Sequence, residues 1–338
     1  MKSAEAQTEN QSKRMKAIVQ HEYGPPEQVL EFGEVDRPTL EDDRVLVRLQ
    51  ATSVHPGDWH LISGLPGIVR IMGFGVRKPK KSIPGSEIAG RVEEVGDSVT
   101  QFQPGDEVYG EVGQAFAEYV SAPQHLLAPK PANLTFEQAA AVPVSAFTAL
   151  QALRDKGEVQ PGQKVLVIGA SGGVGTYAVQ IAKSYGAEVT GVCSTRNLEM
   201  VRSIGADHVI DYTNEDIDQS GQLYDLIVDT AGSRSLSTVR RSLTPDGTLV
   251  LVGGEGGGRW FGAVGRTLKA ILLSPFAKQR LRAFIASANQ EDLETLTELI
   301  EAGKVIPVID RSYEFSQIPE ALRYLGEGHT QGKVVISM

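Results

Sequence analysis

The chain has 338 residues, of which 41% are hydrophobic and 22% charged, and this composition predicts a soluble globular enzyme of two domains. Its formal net charge of −9 argues against nucleic acid or an anionic membrane as the main partner. The single cysteine excludes an intrachain disulfide, and no apolar run is long enough to span a bilayer. Residues 1–14 are polar, which predicts a flexible tail, and we expect a cytoplasmic protein.

Residues 15–139 alternate short β patterns with glycine and proline turns, which predicts an all-β, barrel-like domain. Strands are expected at residues 16–20, 45–49, 90–95, 107–110 and 117–120.

Residues 140–285 alternate strand and helix patterns instead, which predicts an α/β domain with a doubly wound parallel sheet. Its strands are expected at residues 165–168, 188–192, 207–211, 226–229 and 248–252. The last part opens with a helix at 290–302 and continues through the apolar run 305–308, a helix at 319–325 and a strand at 333–336. We expect this part to return to the first domain and to leave a cleft between the two.

A glycine-rich turn follows the predicted strand 165–168 and precedes a helix pattern at 176–185. Glycines allow the backbone to turn tightly and to approach a pyrophosphate at a helix N-terminus. The strand, turn, helix and second strand together predict a dinucleotide site. The alternative is a structural turn without a ligand. The residues predicted to bind are Ala170, Ser171, Gly172, Gly173, Val174 and Gly175.

The end of the second strand indicates which cofactor binds. NAD enzymes of this kind place an acid roughly 20 residues beyond the glycines, on the adenosine ribose. This chain has Ser194, Thr195 and Arg196 there, and hydroxyls with a guanidinium suit a 2′-phosphate. The sequence therefore favours NADPH. The alternative is that Arg196 is a solvated residue at a helix start.

With these motifs in order, the chain resembles the zinc-independent quinone-oxidoreductase branch of the medium-chain dehydrogenase/reductase superfamily. The resemblance implies a GroES-like catalytic domain (15–139 and 286–338), a Rossmann domain (140–285), a nicotinamide between them and a homodimer. Besides the glycine turn, it is carried by Met15-Lys16-Ala17-Ile18, Ser53-Val54-His55-Pro56-Gly57-Asp58, Pro84-Gly85-Ser86-Glu87-Ile88-Ala89-Gly90, Gly205-Ala206-Asp207 and Gly332-Lys333-Val334-Val335.

The residue types at the equivalent of the zinc site argue against a metal. Zinc-using relatives carry Gly-His-Glu where this chain has Gly85-Ser86-Glu87, and the cysteine ligand expected near residue 53 is absent. Zinc sites need a set of thiolate or imidazole ligands, so we expect no metal. Without that Lewis acid, alcohol oxidation is disfavoured.

The resemblance also suggests residues near the nicotinamide. His55 stands where relatives commonly have Asn, so it is either a proton donor or a structural loop residue. Asp58 matches a loop acid, for which an orienting role is favoured. Trp59 either lines the substrate pocket or belongs to the core.

Further cofactor contacts are implied at Thr148, Tyr212, Gly253 and Gly254. For Thr148 the alternative is a hydroxyl that bonds its own helix backbone, and for Tyr212 it is simple packing. Lys333 either approaches the cofactor or, as the favoured interpretation, is solvated. The apolar and basic segment 259–278 forms either a lid over the substrate or a packed helix or dimer contact.

Three functions agree with these features. The first is NADPH-dependent hydride transfer to a quinone, and the second is reduction of the double bond of an α,β-unsaturated ketone or aldehyde. Both acceptors are electrophilic without a metal, and both leave a developing oxyanion for the protein to stabilise. The third is a sensor that binds NADPH with little turnover.

Overall fold

Two large sheets organise the protein, for which a computed structural model describes residues 14–219, 221–252, 265, 269–270, 274 and 277–338. The predicted tail falls outside this range except for Arg14, which begins the first strand. Within the described part, no helix is long and apolar enough to cross a membrane.

The first large sheet is mostly antiparallel and has the order β14-β15-β3-β4-β5-β7, with β6 paired to β3. The two C-terminal strands therefore lie in the same sheet as the early strands, with β15 antiparallel to β3. A separate ribbon pairs β1 with β2. The strands are β1 (Arg14–Gln20), β2 (Leu30–Asp36), β3 (Arg44–Val54), β4 (Glu87–Val95), β5 (Glu107–Glu111), β6 (Tyr119–Pro123), β7 (Leu127–Pro129), β14 (Ile309–Glu314) and β15 (Lys333–Ser337).

The second large sheet is entirely parallel and has the order β10-β9-β8-β11-β12-β13, the doubly wound order of nucleotide-binding domains. Leu166 and Val167 on β8 are both fully buried, because helices cover the two faces of such a sheet. The α/β prediction is confirmed. The strands are β8 (Lys164–Ile168), β9 (Glu188–Cys193), β10 (His208–Asp211), β11 (Tyr224–Asp229), β12 (Leu243–Leu251) and β13 (Arg280–Ala283).

The helices differ from the expected elements mainly at their ends. The helix after the glycine turn begins at Gly173 rather than 176, because the turn feeds straight into it. The apolar run 305–308 directly precedes the strand Ile309–Glu314, which the sequence patterns did not predict. The helices are α1 (Pro26–Val29), α2 (Pro56–Ser63), α3 (Phe136–Ala140), α4 (Pro143–Gln151), α5 (Gly173–Ser184), α6 (Leu198–Ser203), α7 (Leu236–Arg241), α8 (Gln290–Glu301) and α9 (Ile318–Gly326).

A direct backbone contact joins the two sheets at the glycine turn. Gly172 and Gly332 form a parallel bridge, and the amide of Gly332 donates to the carbonyl of Ser171 at 2.8 Å. The start of β15 therefore lies against the start of α5. Residues that are distant in sequence meet at this junction, where the candidate site is built.

Candidate active site

The glycine turn leaves the N-terminus of α5 open. Its N-cap is Gly172, and no side chain caps the helix, so the first-turn amides are available to an anion. A Cβ on Gly175 would lie 2.0 Å from the carbonyl oxygen of Gly169, so only glycine allows the turn to close. The predicted residues Ala170 to Gly175 thus form a cradle that fits a pyrophosphate.

A buried ion pair lies beside this cradle. The Lys333 ammonium contacts the Glu87 carboxylate at 2.5 Å, and their side chains are only 2% and 0% exposed. A Cβ on Gly173 would come within 3.4 Å of Cδ of Lys333, so the lysine stem covers the turn. The favoured interpretation of Lys333 as a solvated residue is therefore wrong. The chain from Gly332 enters the junction between the sheets and carries the side chain inward.

Glu87 is held from several directions. Its carboxylate also accepts from the Ser53 hydroxyl at 2.5 Å and from the Val144 amide at 2.9 Å. Burial by itself would raise the pKa of Glu87, but the Lys333 ammonium, with His55 and the Ser53 hydroxyl, outweighs it and holds the pKa below its usual value. The carboxylate therefore stays ionised, and the pair contributes a fixed dipole at the junction.

His55 is oriented by its own loop. It is the N-cap of α2, where its Nδ1 accepts from the Gly57 amide at 3.1 Å and Asp58 accepts from the His55 amide. Because Nδ1 is an acceptor, the neutral ring carries its proton on Nε2, which faces the Ser86 hydroxyl at 2.8 Å. The Nε2–H of the neutral imidazole therefore donates to the Ser86 hydroxyl, and both residues are half-buried.

Asp58 is a buried carboxylate that contacts both the backbone and the ring of His55. It is 2% exposed, and its carboxylate lies 3.4 Å from Nε2 of His55. Burial raises the pKa of Asp58, while the charge of His55 opposes the shift. These contacts agree with an orienting rather than a reacting carboxylate.

Glu111 lies opposite Glu87 on the adjacent strand. Burial, with the charges of Glu87 and Asp58, raises the pKa of Glu111 to about 7. The carboxyl groups of Asp58, Glu87 and Glu111 therefore lie near one another, and the Lys333 ammonium is the cation that offsets their repulsion.

We expect Glu111→Gln to stabilise the protein in alkali. Because the folded-state pKa is raised from 4.5 to about 7, its stabilising contribution is complete below pH 4.5 and is lost as the pH rises through 7. Glutamine removes the charge that is buried and that is repelled by Glu87 and Asp58, so urea unfolding at about pH 8 should show a gain of about 1–2 kcal/mol, with little change at about pH 5. The exposed Glu93→Gln variant is the control. An equal gain at both pH values would contradict the assignment.

The C-terminal ends of β9 and β10 form the edge of the parallel sheet where the sequence predicts the adenosine phosphate, and we name this region the adenosine edge. The Thr195 hydroxyl donates to Asp211 at 2.6 Å, and the Arg196 guanidinium donates to the His329 carbonyl at 2.8 Å. Arg196 is therefore not simply solvated, since it bridges to the segment before β15. Ser194 is the N-cap residue of the turn that follows β9.

Three further side chains belong to this edge. The Tyr212 ring is 52% exposed, and the Arg234 guanidinium lies 5.9 Å from its centroid. Asn197 is buried and donates to the Ser171 hydroxyl at 2.8 Å, while its Oδ1 has no partner in the described part of the protein. Tyr212 thus presents an open ring face next to a cation, and Asn197 ties the adenosine edge to the glycine turn.

Two predicted residues have mainly packing contacts. The Trp59 ring lies edge-on to His60 and close to Gly326 on α9, and it packs against the apolar core of the first domain. The Thr148 hydroxyl donates to the Val144 carbonyl one helical turn back, at 2.5 Å. The structure does not bring either side chain together with His55 and Ser86. Gly253 and Gly254 lie outside the described residues, as does most of segment 259–278.

Sequence reasoning missed Glu87, Lys333 and Glu111 as parts of one cluster. Lys333 and Glu87 are 246 residues apart, so no local pattern joins them. The sequence feature that could have pointed to Glu87 is the Gly85-Ser86-Glu87 motif. Its glutamate is the same as in the Gly-His-Glu motif of zinc-using relatives, although the neighbouring histidine is replaced by Ser86.

The side chains at the junction do not fit a zinc ion. In the described part of the chain, no group of three or more His, Cys, Asp or Glu side chains has a geometry that could hold a metal. Glu87 is already paired with Lys333, and an ammonium at 2.5 Å competes directly with a cation. Cys193 is buried on β9, where burial raises the pKa of its thiol to about 11.

Comparison with known proteins agrees with this architecture. Residues 41–132 match the family model described as "Alcohol dehydrogenase GroES-like domain", and residues 204–336 match "Zinc-binding dehydrogenase". The chain is 35% identical to the chloroplast envelope quinone oxidoreductase homolog of Arabidopsis thaliana, over 96% of this chain and 98% of that protein. It is 33% identical to the chloroplastic NADPH-dependent alkenal/one oxidoreductase of the same plant, over 96% of this chain and 80% of that protein. The quinone oxidoreductase structure from Coxiella burnetii superposes with a TM-score of 0.83 at 29% identity, covering 96% of this chain and all (100%) of that one.

Proposed function

The chain belongs to the quinone-oxidoreductase-like branch of the medium-chain dehydrogenase/reductase superfamily, and from that premise we propose that it is an NADPH-dependent, zinc-independent quinone reductase. The observation that carries the proposal is the meeting of three groups at one junction. The first is the uncapped N-terminus of α5, and the second is the Lys333–Glu87 ion pair, which lies against Gly173 in the first turn of that helix. The third is the hydrogen-bonded His55–Ser86 pair, which is adjacent because Ser86 directly precedes Glu87.

In this proposal one set of residues binds the nucleotide, and a second set donates a hydrogen bond and a proton to the substrate. The amides of the glycine turn would hold the pyrophosphate, next to the stem of Lys333. Ser194, Thr195, Arg196 and Tyr212 would hold the adenosine 2′-phosphate. When bound, NADPH supplies a hydride to an electrophilic acceptor.

Reduction of a quinone leaves an oxyanion that needs a hydrogen-bond donor and then a proton. The Ser86 hydroxyl donates to that oxygen, and Nε2–H of His55 donates to Ser86 in turn, at 2.8 Å. Asp58 keeps the imidazole in this orientation. The Ser86 hydroxyl passes its proton to the oxyanion and is reprotonated by solvent water, because a neutral His55 that gave up its Nε2 proton would be left as an imidazolate. One hydride and one proton thus convert the quinone to its hydroquinone without a metal ion.

A second acceptor class has a specific argument in its favour. The 33% identity to an alkenal/one oxidoreductase supports reduction of an α,β-unsaturated carbonyl, which leaves the same kind of oxyanion. The Ser86–His55 pair serves either acceptor, so the substrate is chosen by the shape of the cleft.

The proposal is tested by following NADPH oxidation against a panel of quinones and α,β-unsaturated ketones and aldehydes. Parallel reactions contain NADH or a chelator. Chelator-insensitive turnover that prefers NADPH, with quinones the best acceptors, is the expected result. Enones as the best acceptors would replace quinone by the second class. Tight NADPH binding without turnover would favour the sensor, and loss of activity with chelator would overturn zinc independence.

We expect Ser86→Ala to lower kcat by about 100-fold, because a positioned proton donor contributes roughly 10²–10⁴-fold to rate. The KM for NADPH should change little, since Ser86 is assigned to the acceptor and not to the nucleotide. Steady-state kinetics with the best acceptor measures both constants. Ser98→Ala, on an exposed loop, is the matched control. An unchanged kcat in the Ser86 variant would remove this residue from the mechanism.

A further inference from the structure

One stretch of the chain has a charge opposite to that of the whole. Between Asp58 and Glu87 there is no acidic residue, whereas the chain as a whole has a net charge of −9. Residues 66–82, here named the basic loop, contain all the cations of this interval: Arg70, Arg77, Lys78, Lys80 and Lys81. Net charge therefore does not describe this part of the surface.

The basic loop also exposes large apolar side chains. The exposed fractions are 71% for Ile71, 56% for Met72, 47% for Phe74 and 65% for Val76. Single exposed apolar residues are ordinary, but four of them within six positions form a patch, and such patches mark binding surfaces.

The loop is held in this conformation by the body of the protein. The Tyr23 hydroxyl donates to the Gly75 carbonyl at 2.7 Å and lies 3.0 Å from the Phe74 carbonyl. Within the loop, the Lys80 amide donates to the Phe74 carbonyl at 2.9 Å. The Arg70 guanidinium stacks over the Tyr23 ring at 4.6 Å. The apolar side chains are therefore presented on a fixed backbone.

The four cations that follow the apolar side chains are exposed and available. Among the described residues, no acid forms an ion pair with Arg77, Lys78, Lys80 or Lys81, and all four are exposed. Unpaired lysines and arginines next to exposed aliphatic and aromatic side chains combine the two attractions of an interfacial membrane segment, namely anionic headgroups and the acyl boundary.

We propose that the basic loop binds the surface of a bilayer that contains anionic phospholipids. Exposed Ile71, Met72 and Phe74 enter the headgroup region while the four cations contact lipid phosphates. A nucleic acid would use the cations but gain nothing from the aliphatic side chains, so a lipid surface fits the loop better. The acidic remainder of the chain is repelled by the same surface, which orients the protein with this loop toward the bilayer.

The test is flotation of the full chain with phosphatidylcholine vesicles, with and without phosphatidylglycerol, at low and high salt. Wild type should float with the anionic vesicles at low salt only. The variant Arg77→Gln/Lys78→Gln/Lys80→Gln/Lys81→Gln should bind them roughly 50-fold or more weakly, from the contribution of each cation near such a surface. Ile71→Ser/Met72→Ser should bind roughly 10-fold more weakly with every charge intact.

The matched control removes the same number of charges elsewhere. Lys16→Gln/Arg48→Gln/Arg202→Gln/Lys304→Gln changes exposed cations spread over other surfaces and should float like wild type. The proposal is overturned if wild type does not float with anionic vesicles, or if the control loses as much binding as the loop variant. It is also overturned if a labelled oligonucleotide binds the loop more tightly than the vesicles do. Self-association through the loop, detected by sedimentation equilibrium and lost in the loop variants, would overturn it as well. Reductase activity in solution is not needed for any of these results, so they are independent of the proposed function.

Discussion

Replacing Lys333 by methionine is expected to lower the free energy of unfolding by about 3–5 kcal/mol, because removal of one partner leaves a buried charge uncompensated. Glu87 is 0% exposed, so bulk solvent does not reach its carboxylate to replace the ammonium. The loss should appear as a fall in melting temperature of roughly 10 °C, and as earlier unfolding in urea when followed by fluorescence and circular dichroism together.

A second substitution separates the pair from the packing around it. In Lys333→Met/Glu87→Gln the charge is gone, while the amide oxygen can accept from the Val144 amide in place of Oε1 and the amide NH2, in place of Oε2, can donate to the Ser53 hydroxyl oxygen. We expect the double variant to recover at least half of the lost stability, since a neutral group replaces the stranded carboxylate. The exposed Lys304→Met variant should change stability by no more than about 0.5 kcal/mol. If the double variant is no more stable than Lys333→Met, the ion pair is not the cause.

Gly175→Ala is expected to weaken NADPH binding by about 100-fold or more. A Cβ at this position would lie 2.0 Å from the carbonyl oxygen of Gly169 and 2.8 Å from Cα of Ala170, and both are backbone atoms. The turn must open to relieve the contact, which moves the first-turn amides of α5 away from the pyrophosphate. Titration calorimetry with NADPH gives the affinity, and thermal unfolding without nucleotide shows how much of the fold is lost.

Gly33→Ala is the matched control for that experiment. Gly33 lies on β2, and a Cβ there would meet nothing closer than Cγ2 of Val19 at 3.8 Å. We expect its NADPH affinity to equal that of wild type. A Gly175→Ala protein that binds NADPH within threefold of wild type would show that the turn does not bind the nucleotide.

Some features of the fold could be predicted because neighbouring residues in the sequence specify them. The strand 165–168, the glycine turn and the following helix occupy neighbouring positions, and each element has its own periodicity, so the sequence predicted the parallel sheet and the strand–turn–helix order correctly. Helix α5 nevertheless begins at Gly173, three residues earlier than expected. Glycine is a poor helix former, so its presence argued for a later start, and the close approach of α5 to Gly169 overrides that preference.

Local patterns therefore sufficed for the fold class and the glycine turn, and residue types alone show Ser86 where zinc-using relatives have a ligand. Long-range packing sets the rest: Lys333 is buried against Glu87, Arg196 bonds the His329 carbonyl, and a basic and apolar loop is exposed on a chain of net charge −9. The physical reason is that burial and pairing depend on what lies opposite a side chain in space. A lysine before a last strand is solvated in most proteins, and here the return of β15 to β3 carries it into the interior.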